Sequence, residues 1–397
     1  MKQTMILALV AAAALAACGG GGDSATLAAS GGTPVPPPAV RDQINAASLA
    51  TAAATGLTVI AAAADEEAYD VAADIGDTWR ITFNTRTGAY TINVLSTQFA
   101  LQSKTGVAVR TVNGNFVTYT ANAPVPFVLV IDTRTKTISG NITLGERATT
   151  VAGTGYTAPD LSKLAGIYSY FGSQRNASDG LSGEFLAGQL RIAANGATAI
   201  ICDGGTINAS DTCTRVGARA VSRETLTLTK NLTTQLIDVK INGNNFGVLN
   251  VKAGDLGPVL LLDRFGFDAS GKGTVLKVGG IYAVKPSRLA GTEMNGTFAC
   301  SSHGEDAFTV AITGTSASIT SSSSSSSSSS GATGSVTRDV LAYNQLAVAD
   351  QILAFDGAVT SRTPGEAIGE ATNILPLSSS LVVVEGDHAT GLCRKTS

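Results

Sequence analysis

Histidine is almost missing from this chain: only His303 and His388 occur in 397 residues. A Ser-His-Asp hydrolase needs a nucleophile, an imidazole base and an orienting acid. Neither histidine has a distinctive setting and no Gly-x-Ser-x-Gly elbow occurs, which excludes the usual serine hydrolase. Charged residues make up 14% and aromatics 5%, with one tryptophan, Trp79. With so few lysines and glutamates, and many small Gly, Thr, Ser and Ala residues, the chain suits a strand-rich exported protein rather than a helical cytosolic enzyme. The net charge of −3 leaves no basic footprint, so nucleic acid is not an expected partner. Beyond Leu15 no apolar run reaches spanning length.

What is present begins at the N-terminus. Met1-Lys2 leads into an apolar stretch from Met5 to Leu15, with small residues at its break. That pattern is a secretory signal, expected to occupy residues 1–17 and to be removed. Leu15-Ala16-Ala17-Cys18 resembles the lipobox of bacterial lipoproteins. The resemblance implies a thioether-linked diacylglycerol on Cys18, cleavage before it and acylation of its freed amine. Each buried methylene contributes about 0.8 kcal/mol, so three acyl chains on one residue exceed what stable anchoring requires. In such lipoproteins an aspartate directly after the cysteine is associated with inner-membrane retention. Gly19 stands there, which implies the outer membrane and leaves the leaflet open. Gly19 to Gly22 and then Pro34 to Pro38 make a flexible, later stiffened spacer, the start of a tether over 18–56.

Four further cysteines, Cys202, Cys213, Cys300 and Cys393, form an even set in an exported chain and read as two disulfides. Of the three pairings, Cys202–Cys213 closes a short polar loop and Cys300–Cys393 ties the last strand to the start of its module. The first is worth about 2–3 kcal/mol in the loop-entropy picture and the second more.

The expected fold is mainly β, with antiparallel barrels or sandwiches. Trp79, Ile81 and Phe83 alternate with polar residues, a turn follows at Thr85-Arg86-Thr87-Gly88, and Tyr90, Ile92 and Val94 continue the pattern. Asn-Gly pairs at 113–114, 195–196, 242–243 and 295–296 mark hairpin turns. Arg41 to Ala54 suits a short helix and Leu57 to Ile60 a strand. Lys163-Leu164-Ala165-Gly166 recurs as Arg288-Leu289-Ala290-Gly291, which divides the body into modules at 57–159, 160–287 and 288–397. In the last, Ser321 to Ser330 reads as a serine-rich loop, and Arg338 to Phe355 reads as a short helix, with two strands as the alternative.

Candidate chemistry is sparse. Gly266 to Gly273 nearly matches a phosphate loop, but Gly273 takes the hydroxyl position and strand-like segments flank it. It reads as a turn, and no cofactor is expected. His303 and His388, with Glu305, Asp306 or Asp387, are candidate zinc or copper ligands near one end of a strand pair. Asp65-Glu66-Glu67 reads as solvated surface and Trp79 as core. Tyr168 and Tyr170 are the candidate ligand-binding residues, on a segment that alternates enough to turn one aromatic face outward.

With Thr137-Ile138-Ser139-Gly140-Asn141-Ile142 among its β segments, the chain resembles transferrin-binding-like surface lipoproteins. The resemblance covers the glycine after Cys18, the flexible anchor and the β modules. It implies a non-enzymatic binding, adhesion or envelope-structural role, with a membrane contact through lipid and a protein or glycan ligand. The alternatives are an envelope glycan-acting enzyme with paired carboxylates and a metal-binding lipoprotein using His303 and His388.

Overall fold

The structure is a computed structural model, which describes residues 38–178, 183–215, 221–266, 275–301, 308–321, 336–348, 351–385 and 390–396. Strands account for 64% and helix for 7%. Three successive antiparallel meanders are each built from one stretch of chain; the second and third close into barrels and the first nearly does.

A helix, Pro38–Thr55, precedes them. Proline suits a first helical position and alanine the interior. Gly56, at φ +64°, ends it in a Schellman motif, with Leu57 N donating to Ala52 O (2.9 Å) and Gly56 N to Ala53 O (3.3 Å). Its buried face carries Ser48 and Ala52 against the second barrel, where Ser48 Oγ donates to Ala253 O at 2.7 Å. Thr58–Val59 then pairs with Tyr156–Thr157, a short clasp around everything between them.

Inside that clasp lies a nine-stranded sheet running from Glu66–Ala73 to Arg147–Thr154, which pair with each other. Its two ends are Lys104–Val107 and Val109–Asn113, separated in sequence by Ala108 alone. The two are one extended run, whose first half pairs with Ala89–Ser96 and second half with Phe116–Ala121. Ala108 N reaches Gly88 O at 2.9 Å, so the sheet nearly closes on itself. Gly88 is required there: its φ is +73°, and a Cβ would lie 2.3 Å from Ala108 O. Trp79, Ile81 and Phe83 all point inward, as their alternation predicts, with Tyr69, Tyr90, Tyr119 and Phe127.

The second meander, Gly166–Asn176 through Lys277–Val284, is a closed eight-stranded barrel. Between Thr198–Asp203 and Ser222–Lys230 it throws out a small hairpin, Gly205–Ile207 with Cys213–Arg215. Cys202 faces outward under that hairpin and bonds Cys213, 11 residues on. The third barrel, Gly296–Ser301 through Gly391–Lys395, is also closed and eight-stranded. Its first and last strands pair with Cys300 opposite Cys393, and these two are bonded across the seam. Both expected disulfides are present.

Lys163-Leu164-Ala165-Gly166 and Arg288-Leu289-Ala290-Gly291 each precede the first strand of a barrel, and Leu164 and Leu289 are buried in the respective interiors. Asn242-Gly243, with φ of +49° and +80°, forms the two-residue turn between Ile241 and Asn244. Asn195-Gly196 also lies between paired strands, whereas Asn113 ends its strand opposite Phe116 and leaves Gly114-Asn115 as the turn. Asn295-Gly296 does not form a hairpin turn: Gly296 starts a strand, and Asn295 Oδ1 accepts from Gly314 N at 2.7 Å.

Arg338 to Phe355 is not a short helix; its described residues lie in the strands Val336–Val348 and Gln351–Arg362, the alternative of two strands. A bulge explains the missing period. Asn344 sits at φ +58°, the register shifts there, and its amide bonds Leu289 N (2.7 Å) and Leu289 O (3.0 Å). Ser321 closes the strand Ser316–Ser321, and the rest of the serine run lies outside the described residues.

The outer faces of the second and third barrels share a further core, with Phe171, Val259 and Leu261 against Phe355, Leu375 and Leu377, and Ala152 of the first sheet joins it. Val259 to Leu262 is therefore apolar throughout, because alternate side chains serve two cores.

Candidate functional site

A closed barrel offers two places for a ligand, its interior and its outer wall. The second barrel's interior is filled: Leu190, Ile201, Leu226, Val239, Leu260 and Ile281 surround a residual cavity of about 20 Å³. That is room for about one water, with no polar lining group to hold it.

Tyr168 and Tyr170 point into this interior, both fully buried, and not outward as a binding surface. Tyr168 Oη donates to Leu164 O (2.7 Å) and Tyr170 Oη to Asp203 Oδ1 (3.2 Å). Burial pushes the Tyr168 hydroxyl well above its ordinary range. The correction has a simple cause: alternation shows that two residues share a face, but not which face the barrel encloses.

The outer wall of the first sheet does carry a concavity, a groove of about 480 Å³. It spans four strands, Phe116–Ala121, Phe127–Asp132, Thr137–Leu144 and Arg147–Thr154. Thr120 faces Val128, Val128 faces Asn141 and Asn141 faces Thr150, which makes one row across the wall. Asn122, Pro126, Thr143 and Ala148 extend the lining. Thr150 Oγ1 donates to Asn141 Oδ1 at 3.3 Å, and Val128 is 44% exposed. Gly140 lets two strands approach: a Cβ there would lie 2.0 Å from Val128 O. Neutral hydroxyl, amide and methyl groups line the groove, suited to surface contact rather than to proton transfer or metal binding. The row escapes sequence reading because its members come from separate strands and meet only through register.

Cys300 and Cys393 are joined, so their sulfurs are not thiolate ligands. Among the described residues no group of three or more His, Cys, Asp or Glu is placed to hold a metal ion. His303, His388, Glu305, Asp306 and Asp387 lie outside the described residues, as do the leader, Cys18 and residues 267–274 of the near-match to a phosphate loop. The strands flanking that segment, Gly257–Gly266 and Lys277–Val284, pair antiparallel. Asp65 lies 3.4 Å from Arg86, with both exposed, and Glu67 accepts from Tyr69 Oη at 2.8 Å. No described helix is long and apolar enough to cross a membrane.

Sequence reading also missed the buried charges where the three bodies meet. Lys252 is fully buried, and its Nζ lies 3.3 Å from Ser378 Oγ. Desolvation holds its ammonium down to about 8, against the opposing pull of Asp255 and of Asp132 from the first sheet.

No protein-family profile matches the chain, and no curated protein matches it. Among solved structures it is similar to the DNA polymerase III β sliding clamp of Pseudomonas aeruginosa, at 8% identity over 90% of this chain and 98% of that one, with a TM-score of 0.13. The β subunit of Streptococcus pyogenes DNA polymerase gives 8% identity over 89% and 97%, with a TM-score of 0.13. Likeness at that level carries no argument about this protein.

Proposed function

We propose that the protein is a lipid-anchored lipoprotein of the bacterial outer membrane, with a non-enzymatic binding or adhesion role performed by the outer wall of its β body. One observation carries the binding half of this reading: the second barrel's interior is filled by its own side chains, whereas the wall of the first sheet bears an open groove. A small-molecule carrier of barrel type keeps its ligand volume inside or at the mouth of the barrel. The anchoring half rests on Leu15-Ala16-Ala17-Cys18 and the spacer after it.

Radiolabelled palmitate tests the anchor. Wild-type protein takes up label and sediments with membranes, and Cys18→Ala abolishes both; equal labelling of the two refutes lipidation at that thiol. Pull-downs from the native envelope test the surface. Val128→Arg with Asn141→Arg removes a partner recovered by wild type, and an unchanged partner set moves the binding surface away from the groove.

A further inference from the structure

The turn between Glu66–Ala73 and Asp77–Asn84 is pressed into the wall of the second barrel. At Gly76 a Cβ would lie 2.9 Å from Val278 Cγ1 and 3.2 Å from Arg264 O, both residues of that barrel. Beside it Thr78 Oγ1 and Asp263 Oδ2 are 2.7 Å apart. Thr78 is fully buried and Asp263 is 2% exposed, and Asp263 Oδ1 has no hydrogen-bond partner among the described residues.

The charges around this point do not balance. The turn and the strand after it bring Asp74 and Asp77, and the barrel brings Asp263, so three carboxyl groups act on one another electrostatically. Arg175, from Gly166–Asn176, is the near cation, and its Nη2 lies 3.7 Å from Asp74 Oδ1. Arg264, next to Asp263, turns into the barrel, where it donates to Phe246 O at 2.9 Å. Arg147 acts on Asp77 from the first sheet, and Tyr282 faces Asp74 and Asp263 from Lys277–Val284. Asp263 is left with a single hydroxyl for company. A buried carboxylate with one donor and two acidic neighbours is costly, and taking up a proton removes that charge. Burial first, then Asp77 and Asp74, push its proton affinity well above the ordinary carboxylate range, against the opposing pull of the Thr78 hydroxyl.

We propose that Asp263 is a proton site that latches the first sheet onto the second barrel, so that the junction is firm in acid and loosens as the medium turns alkaline. The sign follows from linkage. Below about 3.9, the unfolded value, both states carry the proton and the latch contributes fully. As pH climbs from there towards the raised folded value, the unfolded chain ionises first and the contribution is lost. This is the reverse of the usual behaviour of a paired aspartate.

Two measurements on the full-length protein decide the matter. Infrared spectra at pH 7 show the carbonyl stretch of a buried, protonated carboxylic acid in wild type; Asp263→Asn removes it and Thr78→Val shifts it. Melting midpoints from pH 4 to pH 9 coincide for wild type and Asp263→Asn at the acid end, and the asparagine variant is the more stable at the alkaline end. An infrared band unaffected by both substitutions overturns the proposal. So does an asparagine variant that loses stability only at high pH. If Asp263→Asn does not fold, the Thr78→Val band shift alone decides.

Discussion

The first sheet and the third barrel solve the same closure problem by opposite means. The first closes around bulk: Phe83 stacks on Tyr119 at 4.0 Å, Tyr90 meets Phe127 edge-on at 4.9 Å, and Trp79 is fully buried. Its seam is loose, since one strand is shared between two neighbours and all five residues of Val109–Asn113 are exposed. The third barrel encloses Phe298 and Met294 among mostly aliphatic residues, and its seam is zipped in register and bonded through Cys300–Cys393. Aromatic mass holds a wall together without needing its edges sealed. A lighter core relies on the seam. Only the second solution depends on an oxidising compartment.

The comparison breaks most visibly at the crosslink. Replacing Cys300 and Cys393 by alanine should cost about 4–5 kcal/mol, as expected for a loop spanning 93 residues. Denaturant unfolding followed at the third barrel measures this, and reductant should add nothing at that barrel in the double variant. Phe83→Ala should cost about 3–5 kcal/mol through transfer and cavity terms, with the same loss under reducing and oxidising conditions. A loss that grows on reduction would couple the two regions. Opening Cys202–Cys213, which spans 11 residues, should cost only about 3 kcal/mol and free the side hairpin to hydrogen exchange, while the second barrel stays closed.

Lys252 bears on both sides of the comparison: its Nζ lies 3.3 Å from Ser378 Oγ of the third barrel, and Asp132 of the first sheet acts on it electrostatically. Its folded value of about 8 lies below the ordinary lysine range, so stability should rise as pH climbs from 8 towards about 10.4. Lys252→Met removes that rise and, near neutrality, should leave the protein as stable or up to about 3 kcal/mol more so in chemical unfolding. The smallest effect belongs to the open seam. Val109→Lys should change stability by less than about 0.5 kcal/mol, yet reduce self-association seen by light scattering, since that residue is 70% exposed on a free edge.

Local chemistry was legible in the sequence where one face of a strand is wet. Trp79, Ile81 and Phe83 declared their side by alternating with polar partners, and Asn242-Gly243 declared a turn because few residues tolerate two positive φ angles in succession. Cysteine spacing led to both bridges. Legibility failed where both faces are covered or the period is broken. Tyr168 and Tyr170 lie on a strand whose other face, with Ser169 and Phe171, is buried as well, so alternation did not mark which side is inside. At Asn344 the pairing slips by three residues, from Tyr343 opposite Val359 to Gln345 opposite Ala354, which erased the strand signal over Arg338 to Phe355. The groove and the Asp263 cluster depend on residues far apart in the chain, and composition and motif carry no register.

The clasp of Thr58–Val59 with Tyr156–Thr157 has a mechanical consequence. Traction on the chain ahead of Pro38 passes through the helix into the second barrel, because the helix packs there and the two clasp strands lie side by side. The first sheet enters and leaves the chain at that one clasp, so the direct line of pull from the helix bypasses its strands, which bear sideways on the second barrel through Thr78 and Asp263.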